Sequence, residues 1–447
     1  MSEDTVFALS SPVGGAIAIV RITGSGAYAA LGRVFRCKKA PEHRVMNYGH
    51  VIDPESGETI DSAMACFLEA PATYTGEDMA EIYIHGSRVI AKRTLSVLSR
   101  FLRPAEGGEF TKRAFMNGKL DLSQAEAVMD VISSVTEQGA RMAEEQLAGS
   151  IGSGIKDIED RLIDILSGVE AALDYPEELE EDTVSALGSE LAPIIEKLDY
   201  LIRGGNAARI FREGAAVAIL GAPNAGKSSL FNALMGTERA IVTSIPGTTR
   251  DTLEETMDIC GAPVRITDTA GIREGADEAE RIGVERARKA GKRADLILIA
   301  IDGTKPIDEE SRALIAAANR GEYKKCILIF TKADKADFMP HENGENCAAL
   351  SPIAVSSVTG EGLDALKERM AALLLTKEAE SALVTNSRHI YALAEAKAAL
   401  ETADAAMGTD LAAADIRTAL YALGQITGRE VTADVIERIF SRFCVGK

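Results

Sequence analysis

The segment Gly221-Ala-Pro-Asn-Ala-Gly226-Lys227-Ser228 carries the residue types that hold a nucleoside triphosphate, at the spacing that task requires. An apolar strand precedes it and a helical pattern follows. Glycines let the backbone curl until its N–H groups surround the β-phosphate, and the helix N-terminus adds a favourable dipole. Lys227 is placed to bridge the β- and γ-phosphates, and the Ser228 hydroxyl to ligate magnesium. Asp268-Thr-Ala-Gly271 ends a later strand, where an aspartate can hold magnesium through water and a glycine N–H can sense the γ-phosphate. Between the two lies Pro246-Gly-Thr-Thr-Arg-Asp251, a loop that can bring Thr249 to the metal. Thr331-Lys332-Ala333-Asp334 supplies base recognition. The Asp334 carboxylate accepts from the N1–H and exocyclic amine of guanine, whereas adenine offers an acceptor at N1 and leaves groups unpaired. Ser356 and Ser357, after the last strand, offer donors to the guanine oxygen. Five elements in the required order predict a GTP-binding, GTP-hydrolysing domain.

Two features of this site are unusual. Thr331 stands where such elements usually carry Asn, and its hydroxyl can make a similar contact, so GTP is kept over ATP. Ile272 occupies the place where Ras-type enzymes carry a water-orienting glutamine, and no arginine finger is evident. Another positive charge must therefore stabilise the transition state.

The elements that must position these residues form three blocks. Residues 1–117 mix short apolar strands (16–22, 63–68, 80–84) with a helix at 89–101, predicting a compact α+β domain. Residues 118–210 are helical. They open on a capping box, Ser123-Gln-Ala-Glu126, with Ala125, Val128, Met129, Ile132 and Val135 following at helical spacing. A second periodic run spans 155–173, an acidic stretch covers 177–182, and another helix reaches about Gly204-Gly205. In 211–377, strands at 215–220, 263–267, 295–301, 326–330 and 353–355 alternate with helical or loop connections, the pattern of a parallel doubly wound sheet. Residues 378–447 return to helix, at about 388–406, 411–424 and 433–443. Each helical block is short, so the two are expected to pack together as one discontinuous all-α domain into which the α/β domain is inserted. The expected fold is thus multidomain.

With 447 residues the chain exceeds the size at which single cores stop growing. Its 46% hydrophobic and 26% charged residues are ordinary for a globular protein, but the net charge of −19 argues against an unaided grip on nucleic acid. A nucleic-acid substrate delivered by a more basic partner remains compatible with that charge. The six scattered cysteines contain no C-x-x-C pair, so neither a zinc site nor a disulfide framework is expected. An acidic start, Met-Ser-Glu-Asp, and apolar runs well short of ~18 residues predict a cytoplasmic protein without membrane spans. Gly24-x-Gly26-x-x-Ala29 follows a strand but has no acidic partner ~20 positions on, and reads as a strand-to-helix turn, not a dinucleotide site.

The P-loop with Asn224, the Pro246–Asp251 loop, the segment Asp277-Glu-Ala-Glu280-Arg-Ile-Gly283 and the terminal Phe443-Cys-Val-Gly-Lys447 together resemble the MnmE (TrmE) family of tRNA wobble-uridine modification GTPases. The resemblance extends to Arg21-Ile-Thr-Gly, Tyr74-Thr-Gly-Glu-Asp78 and His85-Gly86, and so covers essentially the whole chain. The His85-Gly86-Ser87 step departs from the family's His-Gly-Gly. By this resemblance Asn224, Thr243, Ile245 and Thr248 would ligate a potassium ion standing where an arginine finger otherwise would. Glu280 would direct the attacking water once two nucleotide domains meet. GTP contacts would come from Asn224, Ala225, Gly226, Lys227, Ser228 and Ser229, from Thr243, Ser244, Ile245, Pro246, Gly247, Thr248 and Thr249, from Asp268, Thr269, Ala270 and Gly271, and from Thr331, Lys332, Ala333, Asp334, Ser356 and Ser357. Magnesium would sit on Ser228 and Thr249.

The family's N-terminal domain implies a 5-formyl- or 5,10-methylene-tetrahydrofolate on Arg21, Glu81, Lys119 and Lys447, with Cys444 a further tail candidate. It also implies a homodimer and an MnmG-type FAD-binding flavoprotein, joined in a heterotetramer or larger complex. That pair would add an aminomethyl or carboxymethylaminomethyl group to carbon 5 of uridine 34. Two other functions fit parts of the sequence. A regulatory GTPase of ribosome assembly would need a basic RNA-binding appendage, which the chain lacks, and a folate carrier with a vestigial GTP domain would not need all five nucleotide elements.

Overall fold

The computed structural model describes residues 4–237, 256–267, 294–339, 352–380, 382–404 and 408–446. The chain forms two compact units, one built from 1–129, 147–159 and 420–447, the other from 130–146 and 160–419.

The first unit holds a seven-stranded sheet. Its strands are β1 (Val6–Leu9), β2 (Ile17–Thr23), β3 (Phe35–Cys37), β4 (Asn47–Ile52), β5 (Thr59–Leu68), β6 (Met79–His85) and β7 (Arg103–Pro104), in the order β3-β4-β5-β6-β2-β1-β7. Alternation along β2 and β6 sends Ala18, Val20, Ile22, Ala80, Ile82 and Ile84 to one face. There they form a dry core with the apolar stripes of helices Ala27–Val34 and Arg88–Leu98. Gly24 and Gly26 make the turn into the first of these helices. The Thr5 hydroxyl accepts from the Gly26 N–H at 2.8 Å, so that helix start is closed by the chain itself. Ser87 caps the second helix by accepting from the Val89 N–H, and a Cβ on Gly86 would lie 2.0 Å from the Gly15 carbonyl. The tight turn after His85 therefore rests on Gly86 alone and tolerates Ser87.

The capping box lies two residues earlier than the sequence suggested. Helix Leu122–Ser133 is capped by Asp121, whose Oδ1 accepts from the Gln124 N–H at 2.8 Å while Gln124 Oε1 accepts from the Asp121 N–H at 3.0 Å. Ser123 already lies in the helix and donates its hydroxyl to Asp121.

The second unit is built on a six-stranded sheet: β8 (Ala215–Leu220), β9 (Thr256–Ile259), β10 (Ala262–Thr267), β11 (Leu296–Asp302), β12 (Cys326–Thr331) and β13 (Ile353–Val355), ordered β13-β12-β11-β8-β10-β9. Four of the five pairings are parallel. β9 is the departure from the purely parallel pattern: it joins antiparallel through Cys260 and Gly261, whose φ values of 51° and 87° give a tight two-residue hairpin. The parallel strands are buried on both faces, as their unbroken Val/Ile/Leu runs require.

Helix Pro176–Glu213 is continuous through Gly204-Gly205, where the sequence suggested an end. The glycines serve packing. A Cβ on Gly205 would meet Ile390 at 2.9 Å, so its absence lets helix Ser387–Asp404 lie close, and one on Gly204 would meet Ala382, in the segment before that helix, at 3.3 Å. The same helix enters β8 through Gly214 (φ 74°) and is fastened there. The Asp295 carboxylate accepts from Arg209 and from the Ala216 N–H, and Arg212 pairs with Asp130 at 2.7 Å.

Candidate nucleotide site and a charged patch on the first sheet

Parallel register brings the carboxyl ends of β8, β11, β12 and β13 together: Asp302 pairs with Thr331, Thr331 with Val355, and Ile299 with Leu220. Ligands of open α/β sheets bind at this end. The P-loop leaves β8 at Gly221, where any Cβ would lie 2.2 Å from the Ala300 carbonyl. Asn224 (φ 63°) and Gly226 (φ 84°) then turn the backbone through left-handed conformations ahead of helix Lys227–Thr237, the curl that a phosphate-cradling loop needs. The Lys227 ammonium is held above the loop by the carbonyls of Gly221 and Ala222, at 2.7 and 2.8 Å. Asn224, Ser228 and Ser229 are exposed at the mouth, and Ala225 is buried beneath it.

The base-reading element meets the P-loop directly. Thr331 is buried, and its hydroxyl lies 2.8 Å from the Ala225 carbonyl and 3.1 Å from that of Ile301. The hydroxyl thus ties the base-reading element to the P-loop. Ala333 donates its N–H to the Val355 carbonyl. The exposed Asp334 carboxylate accepts from the Ser356 hydroxyl at 2.7 Å, and this bond is the main cause holding its carboxyl below the usual range. Ser356 Oγ in turn accepts from the N–H groups of Val358 and Thr359, which fixes the turn containing Ser357. Asp334 is thus ionised, oriented and open to a base.

On the first sheet, cross-strand register gathers a second polar group. Arg21 on β2 lies opposite Glu81 on β6, which lies opposite Cys66 on β5. Arg21 Nε donates to Glu81 Oε1 at 2.7 Å, and the Tyr83 hydroxyl donates to Glu81 Oε2 at 2.5 Å. Burial first, and then the Glu81 carboxylate, push the Tyr83 phenol up to about 12, so Tyr83 stays a donor. Burial and Glu81 likewise push the Cys66 thiol up, which leaves no thiolate nucleophile here.

Lys119 is exposed, donates to the Pro71 carbonyl at 3.2 Å and lays its stem against Gly76. Between those two residues in the chain stands Tyr74, whose hydroxyl lies 2.9 Å from that of Thr111. The chain's tail runs past the same sheet. Gly108 donates to the Cys444 carbonyl, Gly107 bridges Val445, and Gly446 packs on Leu9 and Ser10. The Ser10 hydroxyl is buried there with no hydrogen-bond partner among the described residues.

Comparison with known proteins agrees with this geometry. A model of the GTP-binding protein TrmE N-terminus matches residues 5–119, and a model of the MnmE helical domain matches 122–444, a span that runs across the second sheet. Proteins named tRNA modification GTPase MnmE are similar over their full length. Those of Geobacillus thermodenitrificans and Acetivibrio thermocellus are 42% and 41% identical, with 99% or more of both chains covered. That of Natranaerobius thermophilus is 38% identical over all of both chains. The chain belongs to the MnmE family. With family and site in agreement, it is a GTPase built from a TrmE-type α+β domain, a helical domain and a Ras-like P-loop domain.

Several family positions lie outside the described residues: Thr243, Ser244, Ile245, Pro246, Gly247, Thr248, Thr249, Asp268, Thr269, Ala270, Gly271, Glu280 and Lys447. Two site residues escaped the sequence reading. Asp302 accepts from the Lys332 ammonium at 2.6 Å, and Tyr83 fixes the second oxygen of Glu81. The first carried a weak signal, an aspartate closing an apolar strand ahead of Gly303-Thr304. The second carried only the two-residue period that puts Tyr83 on the face of Glu81. No helix among the described residues is long and apolar enough to cross a membrane.

Proposed function

We propose that this GTPase acts in tRNA modification as a potassium-dependent, dimerisation-activated switch serving a folate-dependent reaction at carbon 5 of the wobble uridine. Full-length similarity to proteins named tRNA modification GTPases supports the tRNA substrate. The finer features rest on the family resemblance, carried over residue by residue. Asn224 offers an exposed neutral amide oxygen at the P-loop tip, a hard ligand suited to potassium; Thr243, Ile245 and Thr248 would complete the set. Ser228 and Thr249 would hold magnesium, and Glu280 would direct water. A bound potassium would supply the positive charge that a site without an arginine finger needs beside the phosphates.

The Arg21–Glu81–Tyr83 group suits a tetrahydrofolate. A carboxylate fixed at both oxygens can still accept from pterin N–H groups, and the arginine suits an anionic tail. The Ser10 hydroxyl beside Gly446, without a partner among the described residues, adds a polar group that a ligand could satisfy. Lys119 and Lys447 complete this set. We assign 1–117 to folate binding and dimerisation, 118–210 and 378–447 to the helical domain, and 211–377 to the GTPase domain. The partner is an FAD-binding flavoprotein of the MnmG type in a heterotetramer or larger complex, and it supplies most of the grip on tRNA that a chain of charge −19 lacks. The pair acts in the cytoplasm and installs an aminomethyl or carboxymethylaminomethyl group. Mass spectrometry of wobble uridines in cells with and without this protein tests the whole reading; unchanged modification would sink it. GTP turnover should be much faster in potassium than in sodium, and equal rates would refute the potassium cage alone.

A further inference from the structure

We infer that Asp302 is a positioning residue for guanine-nucleotide binding: it tethers Lys332 so that the lysine stem forms a fixed platform beside the base-reading carboxylate of Asp334. The inference rests on the assignment of this end of the sheet as the GTP site.

Lys332 sits in left-handed backbone (φ 62°), which a non-glycine residue adopts only where its surroundings hold it. Its side chain reaches back to Asp302 Oδ2 at 2.6 Å. The other oxygen, Oδ1, accepts from the Thr304 hydroxyl at 2.7 Å and the Thr304 N–H at 3.1 Å. Both carboxylate oxygens are therefore fixed. The turn that carries them is fixed too: Gly303 donates to the Thr331 carbonyl at 3.1 Å and accepts from the Met339 N–H at 2.9 Å. A Cβ on Gly303 would lie 2.3 Å from the Phe338 ring, so the turn is wedged against the base-reading element.

An exposed ion pair would count for little. Here the Asp302 side chain is only 12% exposed, and Lys332 keeps 33% of its surface open next to the exposed Asp334. Burial raises the Asp302 carboxyl, but the Lys332 and Thr304 bonds outweigh it and hold it below the usual range, so the tether is ionic at neutral pH. With its ammonium anchored, the methylene stem of Lys332 cannot swing through its rotamers and lies as an apolar strip for a flat purine ring. Asp302 acts on the ring as a whole, whereas Asp334 reads its edge.

The test measures fluorescent-GDP and IDP binding to the full chain for the wild type, Asp302→Asn, Lys332→Met and the double variant. IDP lacks the exocyclic amine that Asp334 reads. Asp302→Asn should weaken both nucleotides by about tenfold, chiefly through faster release, and leave their ratio unchanged. The double variant should bind no more weakly than Lys332→Met alone, because both changes break one device. Wild-type affinity in Asp302→Asn, a changed GDP:IDP ratio, or losses that multiply in the double variant would each overturn the inference. Thr304→Val, which removes one hydroxyl's hold on Asp302, should give about a threefold loss; it keeps the test decisive if Asp302→Asn does not fold, and unaltered affinity there would count against the inference. A wild-type chain that binds neither nucleotide would instead overturn the GTP assignment.

Discussion

The nucleotide end of the second sheet and the charged patch of the first are built by opposite routes. At the nucleotide end the described functional groups other than Asp302 lie within contiguous stretches, 221–229, 331–334 or 356–357, and much of the chemistry is done by backbone. Parallel register then needs only to bring strand ends side by side. On the first sheet no two of the key groups are sequence neighbours. Arg21 and Glu81 are 60 positions apart and meet because β2 and β6 pair in one register. A one-residue slip of either strand would send its side chain to the opposite face from its partner's. Motif-built sites should thus fail by loss of a named contact, and register-built sites by loss of alignment.

The largest contrast is expected from Lys227→Ala. It removes the phosphate-bridging ammonium and should lower GTP turnover by two orders of magnitude or more (~10²-fold, the size of a lost transition-state donor), read as phosphate release. Folate binding measured by calorimetry should not change; if both fell together, the two sites would not be separable. Glu81→Gln should do the reverse. It breaks charged hydrogen bonds worth about 1.5–3 kcal/mol, roughly 10–150-fold in 5-formyl-tetrahydrofolate affinity, and leaves GTP turnover intact. Thr331→Val tests the tie between base-reading element and P-loop. A buried bond lost to two carbonyls should weaken GDP binding by about 1–3 kcal/mol, and Thr331→Asn should retain affinity.

The smallest effect belongs to Tyr83→Phe, a few-fold loss of folate affinity of order 0.5–1.5 kcal/mol. Tyr83 also carries a pH signature. Its folded pKa, about 12, lies above the ordinary 10, so its contribution to stability is fully present below pH 10 and is lost as pH rises toward 12. Melting midpoints should fall across that window in the wild type and fall less in Tyr83→Phe.

The same contrast explains what could be read without coordinates. Buried parallel strands announce themselves as unbroken apolar runs, and all five of the second sheet lie within a residue, at each end, of where the sequence puts them. β9 was missed because its hairpin depends on Cys260 adopting φ 51°, which residue type does not announce. β3, β4 and β7 were missed because short edge or half-exposed strands carry weak alternation, and β1 because four residues, mostly buried, are too few to show a period. Helix ends misled twice. Asp121 outcompeted Ser123 as cap, and Gly204-Gly205 marked a close approach to another helix, where a helix end was expected. Family resemblance supplied Arg21, Glu81 and Lys119, which composition and spacing alone would have left as surface charges. The Arg21–Glu81 pairing and the Tyr83 contribution became visible only with the register.

Helix Pro176–Glu213 has a mechanical consequence. Its 38 residues span about 57 Å at 1.5 Å per residue, and its last turns are bolted to the strand ends at Asp295, opposite the nucleotide. It is therefore a long lever clamped at its base and braced again where Asp199 pairs with Lys397. A tilt of about 2° at the Gly214 end would carry the far tip roughly 2 Å over that length. Pro193 interrupts the helix midway and removes one rung of its ladder. Motion arriving at the base would thus divide between the tip and a compliant joint at Pro193. Stiffening that joint with Pro193→Ala would lengthen the effective arm.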